Sequence, residues 1–217
     1  MLKRGSHSIE NSFSIMRIEV CGGIASGKTT FAGLMRRVDL HTLFENFRAN
    51  PFWRAFYSNP GKYIFETEVS FTLQHYHQIK KEAALDKINI CDFSLLLDVA
   101  YAEIGLQGTQ LNTYLKVYEE IKRELPLPIL LVHLECDAET EMKRIRARAR
   151  AVEKSITIEF LDSLNKAVDR QVHLSKGKQN IITIDSSKNN FADDELVKQE
   201  MTALMTATLG QLKENDR

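Results

Sequence analysis

The 217-residue chain has little that would tie it to a membrane, to export or to a charged polymer. No apolar run approaches the ~20 residues that a membrane helix needs, and the opening MLKRGSHSIENSFSIM has no continuous apolar core of signal-peptide type. An excess of one charge is also absent. The 29 Lys and Arg balance the 29 Asp and Glu, so no global field draws the chain to nucleic acid or an anionic membrane, and any basic site must be local. Cysteine is scarce. Cys21, Cys91 and Cys136 are an odd number in a mid-sized chain, which favours reduced thiols over a disulfide framework. All three fall at or just beyond the carboxyl ends of predicted strands, where Cys serves as a small apolar residue; redox control of a neighbouring site is the rival reading. No internal repeat or low-complexity tract is present. These absences point to a cytoplasmic protein with one domain over residues 16–217, preceded by a polar, unpatterned flexible leader at 1–15.

The pattern that remains alternates strands and helices. Met16 to Val20, His41 to Glu45, Lys87 to Cys91, Ile129 to Leu134 and Asn180 to Ile184 read as five strands. The run ILLVHL is apolar throughout, as in a strand covered on both faces. Helices are predicted from Lys28 to about Arg37, from Asn50, from Lys62 to about Ala84 after a break at Asn59-Pro60-Gly61, from Leu95, from Leu111, through the basic segment near Arg144, from Ile158, and from Phe191 to about Leu212. This order predicts an α/β fold with a five-stranded parallel, doubly wound sheet and ligands at the carboxyl ends of the strands.

The segment Gly22-Gly23-Ile24-Ala25-Ser26-Gly27-Lys28-Thr29-Thr30 fits the phosphate-loop pattern G-x-x-x-x-G-K-[ST], between a strand and a helix as the pattern requires. Small residues let successive backbone N–H groups turn inward on a phosphate; Lys28 can reach the β- and γ-phosphates and the Thr29 hydroxyl can ligate Mg²⁺. A site for ATP with Mg²⁺ follows. The basic segment Arg144-Ile145-Arg146-Ala147-Arg148-Ala149-Arg150 has three readings: a nucleic-acid stripe, a solvated charged face, or an arginine lid over phosphates. Overall neutrality and the lack of interleaved aromatics speak against the first. Phosphoryl transfer depends on positioning and charge stabilisation, which suits the lid.

A phosphate loop, a carboxylate at a strand end and an arginine lid, in this order, resemble the deoxynucleoside kinases. The motifs are GGIASGKTT, Glu45 ahead of Asn50-Pro51-Phe52, Phe56-Tyr57 ahead of Pro60, Asp92-x-Ser94 with Asp98 further on, and Arg144-Ile-x-x-Arg148-x-Arg150-x-x-Glu153. The resemblance implies a P-loop kinase fold with a short arginine lid, a homodimer, and ATP-dependent phosphorylation of the 5′-hydroxyl of a deoxynucleoside. It makes Asp92 the general base, able to touch Mg²⁺ through water. Glu45 would hold the 5′ end of the sugar, Tyr57 and Glu153 would bracket the 3′-hydroxyl, and Asp185 would open the loop over adenine. Lys28, Arg144, Arg148 and Arg150 would serve the phosphates, and Glu68, His75 and Asp98 the base pocket. Two other functions fit the same motifs: a kinase for a nucleoside monophosphate or another small hydroxyl compound, and a nucleotide-binding regulatory protein.

Three positions depart from the family pattern. Phe93 stands where an arginine usually follows the catalytic acid, and it cannot donate to a phosphate, so compensation is expected, with Arg146 as one candidate. Glu68 replaces the glutamine that reads the base, and His75, seven residues on, replaces an arginine. An ionised Glu68 offers acceptors only, which suits the N1–H and N2–H₂ donors of guanine and suggests a purine deoxynucleoside. The alternative is an internal Glu68–His75 or Asp98–His75 pair. A metal at His75 and His77 is disfavoured, because residues two apart on a helix point to different sides. Ser94 is expected to cap the helix after Asp92.

Overall fold

The computed structural model describes residues 15–84 and 86–215, so the expected leader lies, Ile15 apart, outside the described residues. Five strands form one parallel sheet: β1 (Arg17–Cys21), β2 (His41–Leu43), β3 (Asn89–Cys91), β4 (Leu130–Glu135) and β5 (Ile181–Asp185), in spatial order β2-β3-β1-β4-β5. The helices are α1 (Lys28–Leu34), α2 (Trp53–Ser58), α3 (Pro60–Glu82), α4 (Leu95–Gly105), α5 (Gly108–Glu124), α6 (Ala138–Arg148), α7 (Ile158–Ser175) and α8 (Glu195–Asn215). One face of the sheet is closed by α1 and α8, with Val20, Phe31, Val132 and Met205 in contact there. The other face is closed by α4 and α7 through Leu97, Leu131, Leu164 and Val168. Chain order reverses beside β1, so the loops after β1 and β3 open on one crevice, the usual place for a ligand in such a sheet.

Local chemistry explains the helix starts. Ser94 Oγ accepts from Leu97 N at 2.9 Å and caps α4 as expected. Asp137 and Thr157 cap α6 and α7 in the same way. Pro60 occupies the first turn of α3 and does not break the chain before Lys62, since its missing N–H is one that a helix leaves unpaired anyway. The last helix begins at Glu195, four residues later than the sequence suggests; Phe191 lies in the preceding loop, edge-on to Phe31 at 5.6 Å. Cys21 and Cys91 close β1 and β3, buried as apolar filler with thiols pushed up by burial, while Cys136 follows β4, half-buried, with its sulfur accepting from Arg144 and Ser187.

Inside β1 lies a feature the sequence only hinted at. Arg17 and Glu19 are each 2% exposed and pair at 2.8 Å, and the second Glu19 oxygen accepts from Leu95 N at 3.0 Å. The carboxylate therefore fastens the start of α4, and with it Asp92 to Ser94, to the central strand. Removing one partner of such a pair leaves a buried charge uncompensated, which costs about 3–5 kcal/mol. Glu19→Ala is accordingly expected to lower the unfolding free energy in urea by about that much, and a loss under ~1 kcal/mol contradicts this role.

Candidate active site

The site begins at the turn between β1 and α1. Gly22 has φ 150° and a Cβ there would come within 2.5 Å of the Leu134 carbonyl, while Gly27 has φ 101° and a Cβ would meet the Phe191 ring at 2.9 Å. Side chains are excluded at both points, which keeps the backbone loop tight. Lys28 Nζ donates to the carbonyls of Gly22 (3.0 Å) and Gly23 (2.8 Å), and its pKa is lowered by burial against the pull of Glu45, Glu141 and Asp92. Thr29 and Thr30 are exposed at the start of α1 and, with Ile24, Ala25, Gly27 and Lys28, line a cavity of about 1110 Å³. Gly22, Gly23 and Ser26 shape the loop from behind without lining that cavity.

The same cavity contains nearly every acceptor-side residue singled out in the sequence: Glu45, Tyr57, Glu68, His75, Asp92, Asp98 and Glu153. Its volume exceeds the upper end of the usual range for one ligand, as a site for two substrates side by side must. Asp92, 3% exposed, sits just past β3; its pKa is raised by burial, against hydrogen bonds from the Thr29 side chain and from the Glu45 N–H, which donates to Asp92 Oδ1 at 2.6 Å. Burial also opposes charge on Glu45, but His75, Lys28 and Arg150 outweigh it and lower that pKa. Two carboxylates thus face the phosphate loop.

His75 joins these carboxylates to the base end. Its Nδ1 lies 2.9 Å from Asp98 Oδ2 and its Nε2 3.2 Å from Glu45 Oε1. Burial works against the charged ring, yet Asp98 and Glu45 raise its pKa to about 10. The Asp98–His75 pairing is the internal pair weighed in the sequence. His77 is exposed on another side of α3, so the two histidines do not meet. Phe93, 1% exposed, stacks on the His75 ring with centroids 4.2 Å apart and planes 11° apart. Glu68 is 5% exposed, and burial followed by the nearby Asp98 charge raises its pKa to about 8. The acceptor-only argument for guanine needs correction on this ground. Near neutral pH Glu68 is a carboxylic acid, which offers one donor and one acceptor.

In the basic segment Arg144, Arg148 and Arg150 are engaged by protein groups and line the cavity. Arg148 forks onto Glu153 with two bonds of 2.7 Å, and Arg150 reaches the same carboxylate at 3.4 Å while lying over the Phe47 ring. Glu153 is 5% exposed and stands close enough to Tyr57 to raise its pKa, after burial, to about 12. Arg144 donates to the Ser186 carbonyl at 2.6 Å and the Ala25 carbonyl at 3.2 Å, tying the lid to the phosphate loop and to the loop after β5. Arg146 is exposed and does not line the cavity, so it does not replace the arginine absent at position 93. Asp185 also stays outside the cavity. It accepts from the N–H groups of Ser187 (3.0 Å) and Lys188 (3.2 Å) and shapes a loop in which Ser187 and residues 189–193 line the cavity.

Two contributors escaped the sequence reading. Phe47 and Trp53 join Phe56 of the quoted motif in an aromatic wall beside Tyr57, signalled only by the density of aromatics in FRANPFWRAFY. Glu141 is fully buried behind Gly23, where burial raises its pKa to about 7, and nothing in a basic helix marks it out.

A model of the deoxynucleoside kinase family matches residues 18–209. The chain belongs to the deoxynucleoside kinase family. It is 27% identical to the deoxyguanosine kinase of Bacillus subtilis over 182 residues, covering 80% of this chain and 88% of that protein. It is 28% identical to the deoxyadenosine kinase of Dictyostelium discoideum over 192 residues, covering 86% and 78%. The fold is similar to that of deoxyadenosine kinase from M. mycoides with bound dCTP, at a TM-score of 0.74 and 20% identity, covering 90% of this chain and all of that one. This deoxynucleoside kinase is therefore a phosphotransferase that acts on a nucleoside hydroxyl with a nucleotide as phosphate donor.

A carboxyl whose folded pKa is raised stabilises the fold fully below its unfolded pKa and loses that stabilisation as pH climbs towards the folded value. For Glu68 the window runs from about 4.3 to about 8. Thermal unfolding of Glu68→Gln should therefore show the variant gaining on the parent between pH 5 and pH 8.5, and a pH-independent difference contradicts the buried neutral acid.

Proposed function

We propose that this kinase transfers the γ-phosphoryl group of ATP to the 5′-hydroxyl of a purine deoxynucleoside, using a single catalytic domain from residue 16 onward. The observation that carries the reading is the one cavity in which Lys28 and Thr29 face Glu45 and Asp92, with Glu68, His75 and Asp98 beyond them. Lys28 binds the β- and γ-phosphates from the loop floor, and Arg144 holds the lid root against that loop. Arg148 and Arg150 fix Glu153, which with Tyr57 takes the 3′-hydroxyl. The hydroxyl of Thr29 and the carboxylate of Asp92 form an oxygen set that fits Mg²⁺, which when bound would neutralise charge developing on the phosphates. Asp92 then accepts the 5′-hydroxyl proton.

Glu45 supports a second assignment of the base. It is the carboxylate held charged by its neighbours, whereas one Asp92 oxygen is taken up by the Glu45 N–H and its side chain lies beside Thr29. In that version Asp92 serves Mg²⁺ and Glu45 takes the proton. Glu68 as a neutral acid matches the Watson–Crick edge of guanine, adenine or cytosine, and the relatives named for deoxyguanosine and deoxyadenosine favour purines among them. The family also favours a homodimer, and the dependence on ATP favours the cytoplasm.

Release of ADP with ATP and Mg²⁺, screened over deoxynucleosides, ribonucleosides and their monophosphates, tests this. Deoxyguanosine or deoxyadenosine should give the highest kcat/KM, and silence across the panel sinks the proposal. Asp92→Asn and Glu45→Gln separate the two assignments. Loss of the base lowers kcat by about 10²–10⁴-fold at saturating Mg²⁺, whereas loss of a metal contact raises the Mg²⁺ concentration needed.

A further inference from the structure

We propose that His75, gripped between Asp98 and Glu45 and braced face-on by Phe93, is the positioning residue that holds the Glu45–Asp92 carboxylate pair, and that this arrangement takes over from the arginine absent at position 93. The inference rests on the kinase reading above and concerns a side chain whose two ring nitrogens are both taken by protein carboxyl groups.

Four separate observations meet at this ring. First, both nitrogens are taken: Nδ1 by Asp98 at 2.9 Å and Nε2 by Glu45 at 3.2 Å. A neutral imidazole has one N–H and can donate to only one carboxylate, so with Asp98 and Glu45 both ionised the ring that joins them is the imidazolium. Second, Phe93 lies parallel to the ring at 4.2 Å and Phe71 flanks it at 6.0 Å, with His75 only 2% exposed. Third, the grip is transmitted. The Glu45 carboxylate is fixed by His75 while the Glu45 N–H fixes Asp92 Oδ1 at 2.6 Å, so Asp98, His75, Glu45 and Asp92 form one continuous chain from α4 to the phosphate loop. Fourth, position 93 is spent on the brace. An arginine there would supply a positive charge next to Asp92; Phe93 supplies a flat apolar face against a ring that carries the charge instead.

The charged groups around His75 agree with this. Asp98 reaches it from α4, Glu45 from the loop after β2, and Glu68 from its own helix, while Lys28 and Arg150 face Glu45 from the other side. Three acidic groups surround one imidazole; burial pushes the Glu68 pKa up to about 8, and the imidazolium offsets one of the other two carboxylates while Lys28 and Arg150 face Glu45. Above the value of about 10 that these neighbours impose, the ring loses its proton and the grip on Glu45 with it.

The test combines a direct and a kinetic readout. NMR of the imidazole in the full chain should show His75 protonated up to at least pH 8.5, and titration below pH 7 overturns the proposal whatever the enzyme's substrate proves to be. With the best acceptor from the panel, His75→Gln should lower kcat by about 10²-fold or more, the scale of losing one preorganised electrostatic group, with KM for ATP changed by less than about threefold. A rise in acceptor KM with kcat unchanged makes His75 a base contact and refutes the positioning role. Phe93→Leu, which keeps an apolar side chain but removes the stacked face, covers the case in which His75→Gln does not fold; it should lower kcat in the same direction, and an unchanged kcat overturns the brace. Failure of the parent enzyme on the whole panel would strike the kinase reading and leave the NMR result standing.

Discussion

Everything at this site is constrained by the placement of acidic groups where water is largely excluded. Asp92, Asp98, Glu45 and Glu68 crowd the carboxyl ends of β2 and β3 with the start of α4, and burial opposes charge on all four. A low-dielectric cluster of this kind stands only if cations and protons are arranged to match. Lys28 from the phosphate loop, His75 from α3 and a retained proton on Glu68 supply that balance. The neighbours divide the four unequally: Glu45 is held charged by His75, Lys28 and Arg150, whereas burial pushes the pKa of Asp92 and Asp98 up and that of Glu68 to about 8.

The sheet makes this crowding possible. Parallel strands bring the loops after β1, β2 and β3 to one edge, and the buried Glu19 clamp fixes the start of α4 against β1. The lid then closes the far side through a mutual arrangement in which Arg148 and Arg150 hold Glu153. Residues that the sequence assigns to different ligands, phosphate on one hand and sugar on the other, hold each other in the structure.

Much of this was legible in the chain itself. The strand-turn-helix context of GGIASGKTT, the apolar run of β4 and the order of the charged motifs are local patterns, and local patterns fix the strands, the phosphate loop and the family resemblance. What depended on tertiary contact was not legible. Phe191 reads as helical because its surroundings are, yet it is drawn out of α8 to pack against Phe31 beneath Gly27. Glu68 reads as an anion because the one-letter code carries a charge, and only its burial beside Asp98 reveals that its pKa is pushed up to about 8. Phe93 reads as a loss, and only the folded chain reveals its stack on His75.

The most direct measurement of the central claim is the chemical identity of the product. Phosphorus-31 NMR of the protein with ATP, Mg²⁺ and deoxyguanosine or deoxyadenosine should show a deoxynucleoside 5′-monophosphate accumulating in step with ADP. Inorganic phosphate in its place, or an ester at the 3′ position, would contradict a cavity in which Glu45 and Asp92 present the 5′-hydroxyl to the phosphate loop.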